Sequence, residues 1–115
     1  MKQGKREHSR VEVSWPVTML TSKQSIIGEI KNISVSGAMI SCQELPSPEE
    51  TLQLRIEITD LFYVSAMVEN VRFNVDDIPS DFIAYYLAVR FTEMTEDERK
   101  ILYNAIDQEA SKKNH

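Results

Sequence analysis

Apolar residues alternate with polar ones along several stretches of this chain, and this period of two constrains the fold more than any other feature. The clearest stretch is 52–58, where an aliphatic side chain occupies every second position. Such alternation is typical of strands that bury one face. Similar patterns predict further strands at about 11–20, 26–33, 38–42, 62–73 and 85–91. About six short strands predict a mainly β fold, either a small antiparallel barrel or a sandwich.

Three interruptions predict where the strands deviate or end. Pro16 lacks a backbone donor, so the first strand should lie at an edge or carry a bulge there. Gly28 is a possible bulge in the second strand. Residues 74–83 are polar and acidic and include Pro79, which predicts a long hairpin loop that is either functional or disordered.

The period changes from two to that of a helix near residue 95. Thr95 and Glu98 have the spacing of a capping box, with acidic residues in the first turn. The apolar residues that follow at helical spacing are Ile101, Leu102, Ala105 and Ile106. A helix with this apolar face should pack on the sheet or close one end of a barrel.

Length and composition predict one soluble domain. A chain of 115 residues with 42% hydrophobic and 27% charged residues can bury a core without metals or disulfides. We expect an N-terminal arm at 1–10, a folded body at 11–110 and a disordered tail at 111–115. Cys42 is the only cysteine, no segment resembles a signal peptide, and none approaches the roughly 20 apolar residues of a membrane-spanning helix. A cytoplasmic location is the simplest prediction.

The charge distribution favours a small anionic ligand over a long nucleic acid. The net charge is −5, which is unsuited to extended phosphate neutralisation. Residues 1–10 are nevertheless mainly basic: they include one acidic residue, Glu7, and four basic ones, Lys2, Lys5, Arg6 and Arg10. A basic arm on an acidic body suits a small anion, although a solvated tail would have the same composition.

No group in the sequence is well suited to catalysis or metal binding. His8 lies in the arm and His115 is the last residue, so neither should be held firmly enough to act as a general base. Cys42 lies in an alternating strand and should be a buried apolar group. The acidic residues of the predicted loop match no calcium-binding spacing; they are Asp76, Asp77 and Asp81. We expect neither an enzyme nor a metal site.

Residues 32–37, which we call the polar corner, separate two apolar segments. Asn32 can donate and accept, Ser34 and Ser36 carry hydroxyls, and Gly37 permits a positive φ or a close backbone approach. An ordinary connection between strands does not require all four. These residues are therefore the best candidates for a binding site.

Two motifs together identify a family. Arg6-x-x-x-Arg10 is followed by an apolar strand and, after its return, by Asn32-x-Ser34-x-x-Gly37, and the late strand 87–91 precedes the capped helix. This order resembles the PilZ domain family, over nearly the whole chain from about residue 6 to residue 107. The resemblance implies a six-stranded antiparallel β-barrel with a C-terminal helix. It also implies that the ligand is cyclic di-GMP, with no other cofactor.

The resemblance assigns roles to the motif residues. Arg6 and Arg10 are expected to clasp guanine and phosphate, while Asn32 and Ser34 bond a guanine edge and a nearby phosphate. Gly37 is expected to keep the backbone clear for close approach. Arginine suits this ligand because its planar fork can bond a guanine edge, stack on a base or bridge to a phosphate.

Three further residues are possible secondary contacts: Lys5, Ser36 and Ala88. The sequence departs from many relatives at two positions, where Asn32 replaces aspartate and Ala88 replaces glycine. The family pattern accepts either residue at the first position. A methyl group at the second could weaken a contact to ligand or partner.

The resemblance further implies that the protein signals through a conformational change and catalyses no reaction. The arm would move freely without ligand and fold over the polar corner when ligand binds, and an unidentified partner protein would read the change. The arginine pair begins only five residues into the chain, so no upstream domain is expected for the arm to reposition. We expect a monomer or weak dimer that does not insert into a membrane. The resemblance allows either one bound ligand molecule or a stacked pair.

Three alternative functions are weighed against this prediction. A PilZ-like adaptor that binds only protein is disfavoured because both arginines of the arm are present. An RNA-binding barrel should have a basic groove with interleaved aromatic residues, which this acidic chain lacks beyond its arm. An enzyme lacks a candidate catalytic group.

Overall fold

Six antiparallel strands form a closed barrel in the computed structural model, which describes residues 10–46, 52–59, 62–77 and 83–113. The order of strands around the barrel is β1-β2-β3-β6-β5-β4. The elements are β1 (Val11–Leu20), β2 (Ser25–Ile33), β3 (Gly37–Cys42), β4 (Leu52–Glu57), β5 (Tyr63–Asp77), β6 (Ile83–Glu93) and α1 (Glu96–Lys113). The predicted mainly β fold with a C-terminal helix is confirmed, and the barrel replaces the sandwich.

The pairing of β1 with β4 closes the ring. These strands run antiparallel, with Val17 opposite Ile56 and Leu20 opposite Gln53. The other side of β1 pairs with β2. Closure gives each strand a neighbour on both sides, which satisfies backbone groups that an open sheet would leave at its edges.

The core fills the barrel interior with aliphatic side chains from alternate positions. In β4 the pattern is strict: Leu52, Leu54 and Ile56 are buried while the residues between them are exposed. Other strands contribute in the same way, which is why the period of two in the sequence identifies them. Buried side chains of this kind stabilise the fold by roughly 1.5–3 kcal/mol each relative to exposure.

Irregular pairing occurs beside Pro16 but not at Gly28. The β1–β2 register shifts between Glu12 and Trp15, so the bulge lies before Pro16, which itself pairs in register with Glu29. Pairing with β4 begins only at Val17, so Pro16 has a paired strand on one side alone, as expected for a residue at an edge. The possible bulge at Gly28 is wrong, because that residue pairs in register with both neighbouring strands. A Cβ atom at Gly28 would lie 2.8 Å from the Ser41 carbonyl oxygen, so glycine there lets β3 approach closely.

The β5–β6 hairpin is longer than the sequence pattern predicts. β5 continues to Asp77 and β6 begins at Ile83, with Asp77 opposite Ile83. Much of the predicted 74–83 loop is therefore strand. The polar composition misled the prediction because residues 74–77 pair with β6 through their backbones, and this pairing requires no apolar pattern. Pro79 and Asp81 lie outside the described residues.

Helix α1 is attached to the barrel through Glu98. Thr95 accepts a hydrogen bond from the Glu98 backbone N–H (3.1 Å), and its hydroxyl donates to Glu98 Oε1 (3.0 Å), which confirms the predicted cap. Glu98 Oε2 accepts from the backbone N–H of Ser65 in β5 (3.1 Å). One carboxylate thus joins the start of the helix to the barrel.

One stripe of α1 covers the core. Leu102, Ala105 and Ile106 are buried as predicted, whereas Ile101 is 36% exposed and lies off this stripe. The helix continues to Lys113, past residue 110, where the sequence pattern placed the end of the folded body. No helix among the described residues is long and apolar enough to cross a membrane.

Cys42 is a core residue with a suppressed thiolate. Its side chain is 4% exposed at the end of β3, and the Sγ atom lies 3.9 Å from the Tyr85 carbonyl oxygen. Burial raises the pKa of the Cys42 thiol. Because the thiolate is the nucleophilic form, this environment suits a packing role, as the sequence predicts.

Replacing Glu98 with alanine should loosen α1 from the barrel. Glu98→Ala removes the contacts to Thr95 and Ser65, and we expect a loss of about 1–2 kcal/mol in the free energy of unfolding, measured by urea denaturation. Glu96→Ala is the matched control, since it removes a carboxylate from the same helical turn and should alter only the interaction with the helix dipole. Equal losses in the two variants would contradict the role of Glu98 as a link to β5.

Candidate functional site

A bulge in β2 turns two consecutive side chains away from the core. Ile30 and Ile33 are both buried, although a regular strand would place them on opposite faces. The register against β3 shifts between Ile30 and Asn32, which leaves Lys31 as the extra residue. Lys31 and Asn32 therefore both lie on the outside, as bulges commonly re-aim side chains. This local irregularity places Asn32 on the barrel surface.

The turn after β2 is closed by hydrogen bonds that centre on Ser34. The Ser34 N–H donates to the Gly37 carbonyl oxygen (2.9 Å), and the Ser34 Oγ accepts from the Ser36 N–H (3.2 Å). The two serine Oγ atoms are 3.1 Å apart, and the Ser34 hydroxyl also lies 3.5 Å from the Gly37 carbonyl oxygen. Ser34 is 1% exposed. Its hydroxyl thus holds the turn from inside, whereas Ser36 is half-buried.

Gly37 is required by the approach of β6. A Cβ atom at this position would lie 2.3 Å from the Val89 carbonyl oxygen, far inside van der Waals contact. The φ angle of Gly37 is not positive, so of the two uses predicted for this glycine, close backbone approach is the one observed. The Phe91 N–H donates to the Ser36 carbonyl oxygen (3.0 Å) and extends the β3–β6 pairing to the turn.

Arg10 brings the arm to the polar corner. Its Nη1 donates to the Asn32 Oδ1 at 2.8 Å, across a separation of 22 residues in sequence. The next residue, Val11, is buried and pairs with Ile33, which fixes the point where the chain enters the barrel. Arg10, the last residue of the arm, therefore lies beside Asn32.

Charged side chains surround the polar corner. On the β2 side, Lys31 Nζ donates to Glu29 Oε1 at 2.9 Å, and this hydrogen bond raises the pKa of Lys31. Glu12 pairs with Asn32 across β1 and β2 and is exposed. The surface around Asn32 thus combines both signs, with the guanidinium of Arg10 directly on its amide oxygen.

A second arginine lies on the opposite side of the corner. Arg90 in β6 pairs with Gly37 in β3, and its guanidinium forms an ion pair with Glu69 of β5. Neither Arg90 nor Glu69 was a predicted site residue. Arg90 could be read from the sequence only as part of the 87–91 strand, because the pairing of β3 with β6 joins distant segments.

Of the remaining predicted site residues, only Ala88 lies within the part of the chain that the structure describes. Ala88 pairs with Met39, which in turn pairs with Asn32, so Ala88 is two strands away from Asn32 in the same row. Arg6 and Lys5, predicted to contact ligand, lie outside the described residues. The structure thus brings Arg10, Asn32 and the 34–37 turn together and leaves the rest of the arm undescribed.

Other concave and acidic features do not coincide with the polar corner. A groove of about 520 Å³ lies between β5, β6 and the start of α1, and its lining includes Met67, Glu93 and Arg99. Within the ranges that the structure describes, no cluster of three His, Cys, Asp or Glu side chains could hold a metal ion. No residue of the polar corner is among those that line this groove.

The family of the chain follows from its sequence and fold together. A model of the PilZ domain family matches residues 4–108, which is most of the chain. With its six-stranded barrel and C-terminal helix, the chain belongs to the PilZ domain family. No curated protein matches the chain.

Solved structures of similar fold come from several bacteria. The PilZ domain of YcgR from Escherichia coli with cyclic di-GMP has a TM-score of 0.73 and 10% identity, covering 94% of this chain and 93% of that one. MotI/DgrA, an inhibitor of motility from Bacillus subtilis, has a TM-score of 0.74 and 15% identity over 98% of this chain. PlzA from Borreliella burgdorferi in complex with cyclic di-GMP has a TM-score of 0.62 and 15% identity over 91% of this chain.

These similarities concern the fold. The chain spans 54% of the MotI/DgrA chain and 55% of the PlzA chain, about half of each. At such low identities the shared barrel carries no information on which side chains bind a ligand. The functional argument therefore depends on the geometry of the polar corner.

Adding a methyl group at Gly37 should destabilise the protein. Because the new Cβ atom would collide with the Val89 carbonyl oxygen, Gly37→Ala must push β3 from β6, and we expect a loss of about 1–3 kcal/mol in the free energy of unfolding. Urea denaturation measures the loss, with Ser36→Ala as a neighbouring control that leaves β6 in place. If Gly37→Ala is as stable as the parent, the glycine is not needed for strand packing.

Proposed function

We propose that this chain binds cyclic di-GMP between the basic arm and the polar corner, and that the bound complex signals to a partner protein. The observation that carries the proposal is the 2.8 Å hydrogen bond from Arg10 to Asn32, which unites two motifs that are separate in sequence. Membership of the PilZ family supports the choice of ligand, as do similar folds described with cyclic di-GMP.

The chemistry of the ligand matches the side chains at this position. Cyclic di-GMP presents the acceptors O6 and N7 on each guanine, flat purine faces and two anionic phosphodiesters. The guanidinium of Arg10 can bond the guanine edge or a phosphate through two parallel N–H groups and can stack on a base. Arg6, four residues earlier, would supply a second guanidinium of the same kind.

Asn32 is poised to act as both anchor and ligand contact. Its Oδ1 accepts from Arg10, so its NH₂ group is the part that can donate to an acceptor on the ligand. An aspartate at this position would bind Arg10 more strongly but could not donate. In the proposed complex Asn32 therefore keeps Arg10 oriented while it bonds a guanine edge.

The hydroxyls of the turn have different parts in the proposed complex. Ser34 is buried, and its hydroxyl is engaged with Ser36 and Gly37. It would contact ligand only after rotating out of these bonds, so its main contribution is to hold the turn in shape. Ser36 is less buried and offers the hydroxyl nearer the surface. Gly37 contributes by letting β6 support the turn from below.

The proposed switch is confined to the part of the arm before Arg10. In the proposed switch, ligand binding closes the preceding residues, with Arg6 and Lys5, over the polar corner, and the hydrogen bond from Arg10 to Asn32 is the point from which they close. The ordering of backbone costs on the order of 1–2 kcal/mol per residue, so a docked Arg10 reduces the cost of closure. The covered surface would then be the feature that a partner protein recognises.

Cyclic di-GMP should raise the thermal stability of the protein specifically. A ligand that binds only the folded state stabilises it by about 2.7 kcal/mol at 100 times its Kd. A thermal-shift titration should show a concentration-dependent rise in Tm with cyclic di-GMP and none with cyclic di-AMP or GTP. The absence of a shift with all three nucleotides would favour the alternative, a PilZ-like adaptor that binds only protein.

Removing either arginine of the arm should abolish binding without unfolding the barrel. A bidentate contact to guanine and a stacked base each contribute about 1–3 kcal/mol, so Arg10→Ala should lower affinity beyond the range of calorimetry. Arg6→Ala should do the same. Arg55→Ala is the matched control, because Arg55 is also exposed but lies on β4 over the Tyr63 ring. An Arg10→Ala variant with unchanged affinity would refute the proposed site.

A further inference from the structure

Arg90 is positioned by the same backbone contact that supports the polar corner. It lies opposite Gly37 in the β3–β6 pairing, and a Cβ atom on Gly37 would be only 3.4 Å from the Arg90 Cα. The neighbouring residue, Phe91, bonds the Ser36 carbonyl oxygen. The Arg90 side chain therefore leaves the barrel directly beside the 34–37 turn.

The guanidinium of Arg90 is exposed and is held only by a weak ion pair. Its side chain is 62% exposed, and its partner Glu69, opposite it on β5, is 46% exposed. Solvent screens an ion pair of this kind, so the pair contributes little to the stability of the fold. An arginine in this state can exchange its carboxylate partner for another anion of similar geometry.

Two guanidinium groups thus flank the polar corner from opposite sides. Arg10 approaches on the β2 side, where it bonds Asn32, and Arg90 rises from β6 beyond Gly37. Cyclic di-GMP carries two phosphodiesters on opposite sides of one ring. A ligand placed over the corner would meet a cation on each side, although the protein as a whole is acidic.

We propose that Arg90 is a third arginine of the ligand site. When the dinucleotide binds, the Arg90 guanidinium breaks its ion pair with Glu69 and binds one phosphodiester instead. This inference rests on the proposed function. Glu69 acts as an internal competitor, because its carboxylate holds the guanidinium that the phosphate needs. The affinity of the site is therefore lower than its arginines alone would give, and the Glu69 side chain sets how much lower.

Calorimetric titration with cyclic di-GMP at two salt concentrations tests this proposal on five proteins. These are the parent chain, Arg90→Gln, Glu69→Gln, the double variant with both changes, and Arg55→Gln as the control. The control removes a similarly exposed guanidinium from β4, which lies three strands from β3 in either direction around the barrel.

The five affinities should follow a defined pattern. Arg90→Gln should weaken binding about tenfold, equivalent to about 1.4 kcal/mol, and should lessen the salt dependence. Glu69→Gln should tighten binding about two- to fivefold, because it removes the competing carboxylate and keeps a side chain of the same size. The double variant should match Arg90→Gln, since Glu69 acts only through Arg90. Arg55→Gln should bind like the parent.

Each contrary result has a separate meaning. Unchanged affinity in Arg90→Gln, with loss of binding in Arg10→Ala, would overturn the role of Arg90 and leave the proposed function standing. Equal weakening in Arg90→Gln and Glu69→Gln, with a matching fall in Tm, would show that the ion pair is structural and would also overturn it. If the parent chain itself does not bind cyclic di-GMP, the proposed function fails and this inference fails with it.

Discussion

The close contact between the backbones of Gly37 and Val89 is the constraint on which the candidate site depends. It lets β3 lie against β6, so that the turn after β2 is supported by a strand from the far end of the sequence. The same contact carries Arg90 to the edge of that turn. A side chain at residue 37 would therefore disturb packing, turn geometry and local charge together, and no single one of these could be restored independently.

The period of two predicts the strands well because burial inside a barrel is a local property of each residue. The same reasoning identifies the cap on α1, since Thr95 and Glu98 are close in sequence. It fails where a polar segment is a strand through backbone pairing, as in residues 74–77 of β5, and where an irregularity depends on the neighbouring strand, as at Lys31. Neither the length of the β5–β6 hairpin nor the position of the bulge has a signature in hydrophobicity.

The candidate site likewise has a part that the sequence predicts and a part that depends on tertiary structure. The two motifs and the family resemblance that they carry place Arg10, Asn32 and Ser34 among the candidates, but the different surroundings of these residues follow from tertiary structure. A surface amide, a buried hydroxyl and a glycine packed on a carbonyl group cannot be distinguished in the sequence. Arg90 and Glu69 escape prediction because their relevance comes from strand pairing across the barrel.

The pairing of β3 with β6 also has a consequence for the order of folding. Contacts between segments so distant in sequence form late, because a long loop must close before they can stabilise the chain. During synthesis, the first half of the protein can contain both motifs and still lack the strand that supports the 34–37 turn. The nascent chain therefore gains the complete polar corner, and with it the proposed ligand surface, only after β6 has been made.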